Sequence, residues 1–248
     1  MSPDQRIEQS TPRWLVMMTK YWQPGRVKTR LAASVGHPAA ARLHRLFTHE
    51  ITYRLAGCGD FRVVLASPDH CVPRIANRFA AGWQPLPQGD GDLGQRIWRA
   101  ISLPPHPAKV VVIGADLPTL SPGEIERAYQ ALDRDRLVLG PAGDGGYYLI
   151  GMNRHSGSSR LATLFSDIAW GTGEVLQATL SRAEKLGLTT RLLDTRDDID
   201  HWDDLVRLVK RLSRSADPVD QDLKSRLEKI LMRHSMIRLP GVANGKAD

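Results

Sequence analysis

Short apolar runs along the chain alternate with longer stretches in which apolar residues recur at helical spacing. "RWLVMMTK" (13–20), "FRVVLAS" (61–67), "KVVVIGAD" (109–116), "RLVLGPA" (136–142), "GGYYLIGM" (145–152) and "TTRLLDT" (189–195) read as strands. The unbroken Val110–Ile113 run is that of a strand buried on both faces. Between the runs, Leu43, Leu46, Phe47, Ile51 and Leu55 mark a helix in 39–58 that stops at Gly57 and Gly59. "LGQRIWRAISL" (93–103), "VLQATLSRAEKLGL" (175–188) and "HWDDLVRLVKRL" (201–212) read as further helices. "SPGEIERAYQAL" (121–132) announces its start with Ser121 as N-cap, Pro122 at the first helical position and Glu124 at the capping-box position. This alternation predicts an α/β fold with a doubly wound, mostly parallel sheet covered by helices on both faces. In such folds ligands gather beyond the carboxyl ends of the strands. The loops to examine are therefore "KYWQPGRVKTR", "GADLPTL", "GPAGDGG" and "DTRDDID".

The alternation fills residues 13–212, the expected core domain. Residues 1–12 are polar and are expected to be disordered. Residues 213–248 are basic and Pro-interrupted, and read as a tail outside the core, helical over 220–236.

Charge adds one question. The chain of 248 residues carries a net charge of +7, which suits nucleic acid, a membrane surface or a small anionic substrate. Part of the excess needs no partner: the stretch Lys224 to Lys246 carries Lys224, Arg226, Lys229, Arg233, Arg238 and Lys246 against Glu228 alone, and Lys210 and Arg211 close a helix, where its dipole favours cations. No basic patch is interleaved with aromatics, so nucleic acid is not the expected partner. Cys58 and Cys71 match no zinc or redox spacing and are expected to be free thiols. No apolar run approaches the roughly 18 residues of a membrane helix, and the polar N-terminus lacks the apolar stretch of a signal peptide. A cytoplasmic protein without membrane contact is expected, its oligomeric state left open.

The chemistry-bearing residues lie in the strand-end loops. "QPGRVKTRL" (23–31) puts Arg26, Lys28 and Arg30 on alternate positions behind Pro24 and Gly25, as a phosphate-holding loop or a solvated basic turn. Asp116 follows the buried third strand and suits a divalent cation bridging phosphates, or the satisfaction of a turn. Asp144, among Gly143, Gly145 and Gly146, suits a sugar or ribose hydroxyl, or a hairpin turn. Asp198 and Asp200 precede a helix, and either serves as a second metal ligand or as an N-cap. In "QGDGDLGQR" (88–96) a glycine-rich loop enters a helix, a natural place for base, ribose or phosphate or an ordinary cap by Asp92. Trp170 and Thr172 lie in a loop ahead of another helix.

Taken in order, "PGRVKTRL", "QGDGDLGQR", "IGADLPTL", "LGPAGDGGYYLIGM", "LFSDIAWGTGEVLQAT" and "DIDHWDDL" resemble the bacterial rSAM/selenodomain-associated transferases, which are GT-A-like glycosyltransferases of arsenosugar-biosynthesis type. More distantly they resemble 2-phospho-lactate guanylyltransferase and the molybdenum-cofactor guanylyltransferases. The resemblance spans residues 14–212 and implies a nucleotide-diphospho-sugar transferase (GT-A-like) fold. It implies phosphate or nucleotide binding by Gly25, Arg26, Lys28, Arg30, Gln88, Asp92 and Gly94. It implies Mg²⁺ or Mn²⁺ on Asp116 and Asp200 and catalytic roles for Lys28 and Asp116; Asp144, Tyr147, Trp170 and Thr172 are the candidates for sugar or acceptor contacts. Trp22 replaces the family's first loop proline, and His201 and Trp202 replace a Thr-Pro pair.

The expected function is a metal-dependent transfer of sugar from a nucleotide sugar to a small-molecule acceptor. The alternative is nucleotidyl transfer to a phosphorylated acceptor with release of pyrophosphate. Both stabilise a phosphate-centred leaving group with the same residues. A non-catalytic binding module is disfavoured, because it has no chemical need for Asp116 and Asp200 together.

Overall fold

The computed structural model describes residues 11–76, 78–155 and 158–233. The chain runs β1 (Arg13–Lys20), α1 (Thr29–Val35), α2 (His37–Arg54), β2 (Phe61–Ser67), α3 (Val72–Ile75), β3 (Trp83–Pro87), α4 (Leu93–Ser102), β4 (Ala108–Ile113), α5 (Pro122–Ala131), β5 (Leu137–Pro141), β6 (Tyr147–Arg154), α6 (Val175–Lys185), β7 (Thr190–Leu192), α7 (Trp202–Leu212) and α8 (Pro218–Met232). Seven strands form one sheet in the order β3-β2-β1-β4-β6-β5-β7. β1 runs parallel to both β2 and β4, with Val16 opposite Val63 on one side and Val112 on the other. The uninterrupted apolar runs reflect this central position: Leu15, Val16 and Met17 are fully buried, and so are Val110 and Val111.

β6 is the exception to parallel order, running antiparallel to β4 and β5. Only residues 142–146 join β5 to β6, too few for the crossover a parallel pair needs. The hairpin reading of "AGDGG" is therefore correct locally: Asp144 Oδ1 accepts the Gly146 N–H at 3.0 Å. Two elements near the site were not legible in the sequence. "WQPLP" forms β3, whose two prolines are tolerated because the strand is at the sheet edge. The segment expected as loop after β1 turns helical at Thr29, because Leu31, Ala32 and Val35 bury against α2 and α7.

The tail boundary expected at residue 212 does not mark the end of the packed core. α8 buries Leu223, Leu227 and Leu231 in a cluster with Leu43, Leu46 and Phe47 of α2 and Leu205, Leu208 and Leu212 of α7. Arg54, placed between Glu50 and Asp220 at 2.7 Å from each, ties α8 to α2. The basic composition concealed an apolar stripe at helical spacing. Residues 1–10 and 234–248, where disorder was expected, lie outside the described residues. Leu227 is 0% exposed, so Leu227→Ala is expected to cost about 2–5 kcal/mol of unfolding free energy. An unchanged midpoint in a denaturant titration would place α8 outside the cooperative unit.

Candidate functional site

β1 ends at Lys20 and the chain turns through Gly25, whose φ of 80° an L side chain rarely adopts. Lys28 then takes the N-cap position of α1 with φ 47° and ψ 44°, a left-handed conformation costing a non-glycine residue on the order of 1–2 kcal/mol. The side chain does not cap the helix. It turns inward and is 3% exposed, with Nζ 2.6 Å from Asp116 Oδ1 and 2.9 Å from Asp200 Oδ1. Nζ also donates to the Ile199 carbonyl at 2.6 Å. A buried ammonium is stable only when so surrounded, which offsets the backbone strain.

Each carboxylate is brought in by a separate element. Asp116 follows β4, and its carbonyl accepts the Ile199 N–H at 3.1 Å, joining the loop after β4 to the segment before α7. Asp200 is not a helix cap, because Asp204 Oδ2 takes the N–H groups of Asp200 and His201 at 3.0 and 2.7 Å. That leaves the Asp200 side chain free for Lys28 and, at 3.5 Å, for Arg30. Burial opposes the Lys28 charge, but Asp116 and Asp200 more than compensate and raise its pKa. Burial likewise opposes the Asp116 carboxylate, yet Lys28 and His44 hold it below the usual carboxylate range. Asp198 is pushed up to about 7, by burial first and then by Asp116, Asp200 and Asp144. Lys28 lies within 2.9 Å of both Asp116 and Asp200, with Arg30 3.5 Å from Asp200, and two carboxylates gathered this closely could hold a divalent ion.

These groups border a cavity of about 850 Å³ at the carboxyl ends of β1 and β4. Arg26, Lys28, Arg30, Gln88, Asp92, Asp116, Asp144, Tyr147, Trp170, Thr172 and Asp200 all line it. Gly25 and Gly94 do not. Gly25 forms the exposed turn, while Gly94 is a packing position: a Cβ there would lie 2.7 Å from both the Phe165 carbonyl oxygen and the Trp170 ring. Asp92 caps α4 in a reciprocal box with Gln95, its Oδ1 accepting the Gln95 N–H at 2.8 Å. Gln88 spends both amide protons on strand ends, donating to Thr19 O at 2.8 Å and Leu65 O at 2.9 Å, so only its Oε1 remains for a ligand. Thr172 donates to the Ala169 carbonyl at 2.8 Å, and burial raises the Tyr147 phenol above its ordinary range. Trp22 stays out of the cavity, packing against His49 and Phe79 beneath Arg45.

Asp198 also lines the cavity, as do two residues that were not singled out in the sequence, Arg96 and His44. His44 sits in "ARLHRLF" with apolar neighbours at helical spacing, and its Nδ1 is 3.7 Å from Asp116 Oδ1. The only signal for it was a histidine on a buried helix face.

A profile of the family described as "Uncharacterized protein conserved in bacteria (DUF2064)" matches residues 48–172, just over half of the chain. Among solved structures, the chain is similar to a proposed nucleotide-diphospho-sugar transferase from Desulfovibrio desulfuricans G20, at 27% identity and a TM-score of 0.79, over 90% of this chain and 98% of that one. It shares its fold with the inositol-1-phosphate CTP transferase of T. maritima, at 11% identity and a TM-score of 0.51, over 88% and 97% of the two chains. It shares it also with 4-diphosphocytidyl-2C-methyl-D-erythritol synthase of Anaerococcus prevotii DSM 20548, at 8% identity and a TM-score of 0.52, over 82% and 99%. The fold is thus that of the nucleotide-diphospho-sugar transferases. No curated protein matches the chain. Among the described residues no helix is long and apolar enough to cross a membrane.

Proposed function

Because the chain belongs to the DUF2064 family and gathers its cations and carboxylates at one cavity mouth, we propose that it is a metal-dependent glycosyltransferase taking a nucleotide-sugar donor and a small-molecule acceptor. The observation that carries this reading is the Lys28 ammonium held within 2.9 Å of both Asp116 and Asp200 at the carboxyl edge of the sheet. A nucleotide sugar presents a diphosphate, and its departure is the step that needs charge compensation. Lys28, Arg26 and Arg30 line the cavity and supply fixed positive charge to it. Asp116 and Asp200 would hold Mg²⁺ or Mn²⁺, which supplies Lewis-acid stabilisation of the leaving diphosphate. Gln88 and the loop before α4 would take the nucleoside, with Gln88 Oε1 accepting from a donor on the base. Asp144, Tyr147, Trp170 and Thr172, across the cavity, would hold the sugar or acceptor. The resemblance to rSAM/selenodomain-associated transferases of arsenosugar-biosynthesis type supports a sugar donor.

Nucleotidyl transfer is the second reading, favoured by the shared fold with nucleotidyltransferases. The two reactions differ in product. Incubation of the full chain with panels of nucleotide sugars and nucleoside triphosphates, with Mg²⁺ or Mn²⁺ and candidate acceptors, is expected to release a nucleoside diphosphate from a nucleotide sugar. Pyrophosphate from a triphosphate would replace the first reading by the second. If neither class of nucleotide raised the melting temperature with either metal, both would fall.

A further inference from the structure

His44 lies on α2, one turn from Phe47, whose ring the Lys28 ammonium faces at 5.8 Å, and its side chain is 6% exposed. Its Nε2 is 3.0 Å from the Lys20 carbonyl oxygen. A carbonyl only accepts, so Nε2 carries a hydrogen and the ring orientation is set. Thr19 Oγ1, 3.2 Å from the same nitrogen, reinforces that arrangement. In the neutral ring Nδ1 then presents a lone pair. That atom is buried and has no hydrogen-bond partner, and it faces Asp116 Oδ1 at 3.7 Å, too far for a hydrogen bond. Nδ1 is therefore the ring position left open toward the cavity, beside the Asp116 carboxylate, whose side chain is 39% exposed.

The pattern is that of a metal-bound histidine, whose other ring N–H is typically donated to a backbone carbonyl or carboxylate. Two atoms that ligate one ion at about 2.1 Å each lie no more than about 4.2 Å apart, and the His44–Asp116 separation of 3.7 Å is within that reach. Among the described residues no three His, Cys, Asp or Glu side chains are already assembled around an ion position. The Lys28 ammonium occupies the space between Asp116 and Asp200, so a metal held by both carboxylates would have to displace it.

Building on the metal reading above, we propose that His44 Nδ1 is the third protein ligand of the cation held by Asp116 and Asp200. An imidazole in the ligand set favours a first-row transition metal, with Mn²⁺ at the weak end of that series, over Mg²⁺, which prefers oxygen ligands.

The test uses Mn²⁺ alone as the probe on the full chain. Electron spin-echo modulation of protein-bound Mn²⁺ is expected to show a directly coordinated nitrogen that changes when the protein carries ¹⁵N-histidine, a readout that needs no variant. His44→Gln is expected to remove that signal and to weaken Mn²⁺ binding at least tenfold, with a smaller effect on Mg²⁺. Mn²⁺ that binds in an Asp116-dependent way but shows no histidine nitrogen would overturn the proposal and leave the two-carboxylate site standing. So would a nitrogen signal that survives in His44→Gln. Failure of the wild-type chain to bind Mn²⁺ through Asp116 at all would sink this inference and the metal reading together.

Discussion

Asp116→Asn is expected to abolish metal-dependent nucleotide binding, with affinity falling 100-fold or more, about 3 kcal/mol. The variant keeps the size of the side chain but removes the charge that the loop after β4 delivers to the cavity. It is also expected to lower the stability of the ligand-free protein, by about 1–2 kcal/mol. The figure is kept well below that for a fully buried pair because the Asp116 side chain is 39% exposed and Asp200 still faces Lys28. The sign follows from the titration of Asp116. Its carboxyl is held below its ordinary pKa in the fold, with Lys28 and His44 overcoming burial. The folded state therefore binds the anion better than the unfolded chain does. That contribution is fully present above the unfolded carboxyl's pKa and is lost as pH falls toward the depressed folded value. The gap between wild type and variant should be complete at pH 7 and should close in strong acid. Denaturant titrations at both ends of this range, with calorimetric titration of nucleotide in the presence of Mn²⁺, check both parts. A variant that matched wild type in both would return Asp116 to the status of a turn residue.

Lys28→Met carries the other large effect, and its sign depends on what is in the solution. Without added metal, removing the ammonium leaves Asp116 and Asp200 facing each other, with Asp198 and Asp144 near enough to act on the same field. A loss of about 1–3 kcal/mol is expected, below the scale of breaking a fully buried pair because the carboxylates left behind are 39% and 37% exposed. Divalent metal should restore most of it, because a cation placed among crowded carboxylates relieves their repulsion. The rise in melting temperature on adding Mn²⁺ should therefore be larger in Lys28→Met than in wild type, where the ammonium competes for the same oxygens. Nucleotide affinity should remain weaker by about 1–3 kcal/mol even with metal present, the scale of a lost charge-assisted contact. Equal metal-induced stabilisation of the two proteins would show that the carboxylates do not form an ion site.

The pattern of apolar positions carried most of the fold. Runs such as Val110–Ile113 admit only a strand covered on both faces, and Ser121 with Glu124 marked the start of α5 by side chains that both reach their backbone targets, Glu124 Oε2 at 2.9 Å from Ser121 N and Ser121 Oγ at 3.3 Å from Glu124 N. Local chemistry of this kind is written residue by residue, so it is legible without the rest of the molecule. Alternating cations behind Gly25 and aspartates at strand ends likewise pointed to the cavity mouth. Tertiary structure decided which of those residues meet. Lys28 reaches Asp200 across 172 positions of sequence, and Asp204, by taking the helix-capping role, is what leaves Asp200 free to receive it. Gly94 and Asp92 carried the same loop signal as the residues around them, but packing against Trp170 used the one and helix capping the other. α8 was concealed by its lysines and arginines, since composition averages over a helix whose one buried stripe, Leu223, Leu227 and Leu231, becomes apolar surface only when α2 and α7 are there to cover it. His44 was the least visible of all. A histidine on a buried helix face looks like core until the chain folds. Only then do the end of β1 and the loop after β4 set one ring nitrogen on the Lys20 carbonyl and turn the other toward Asp116.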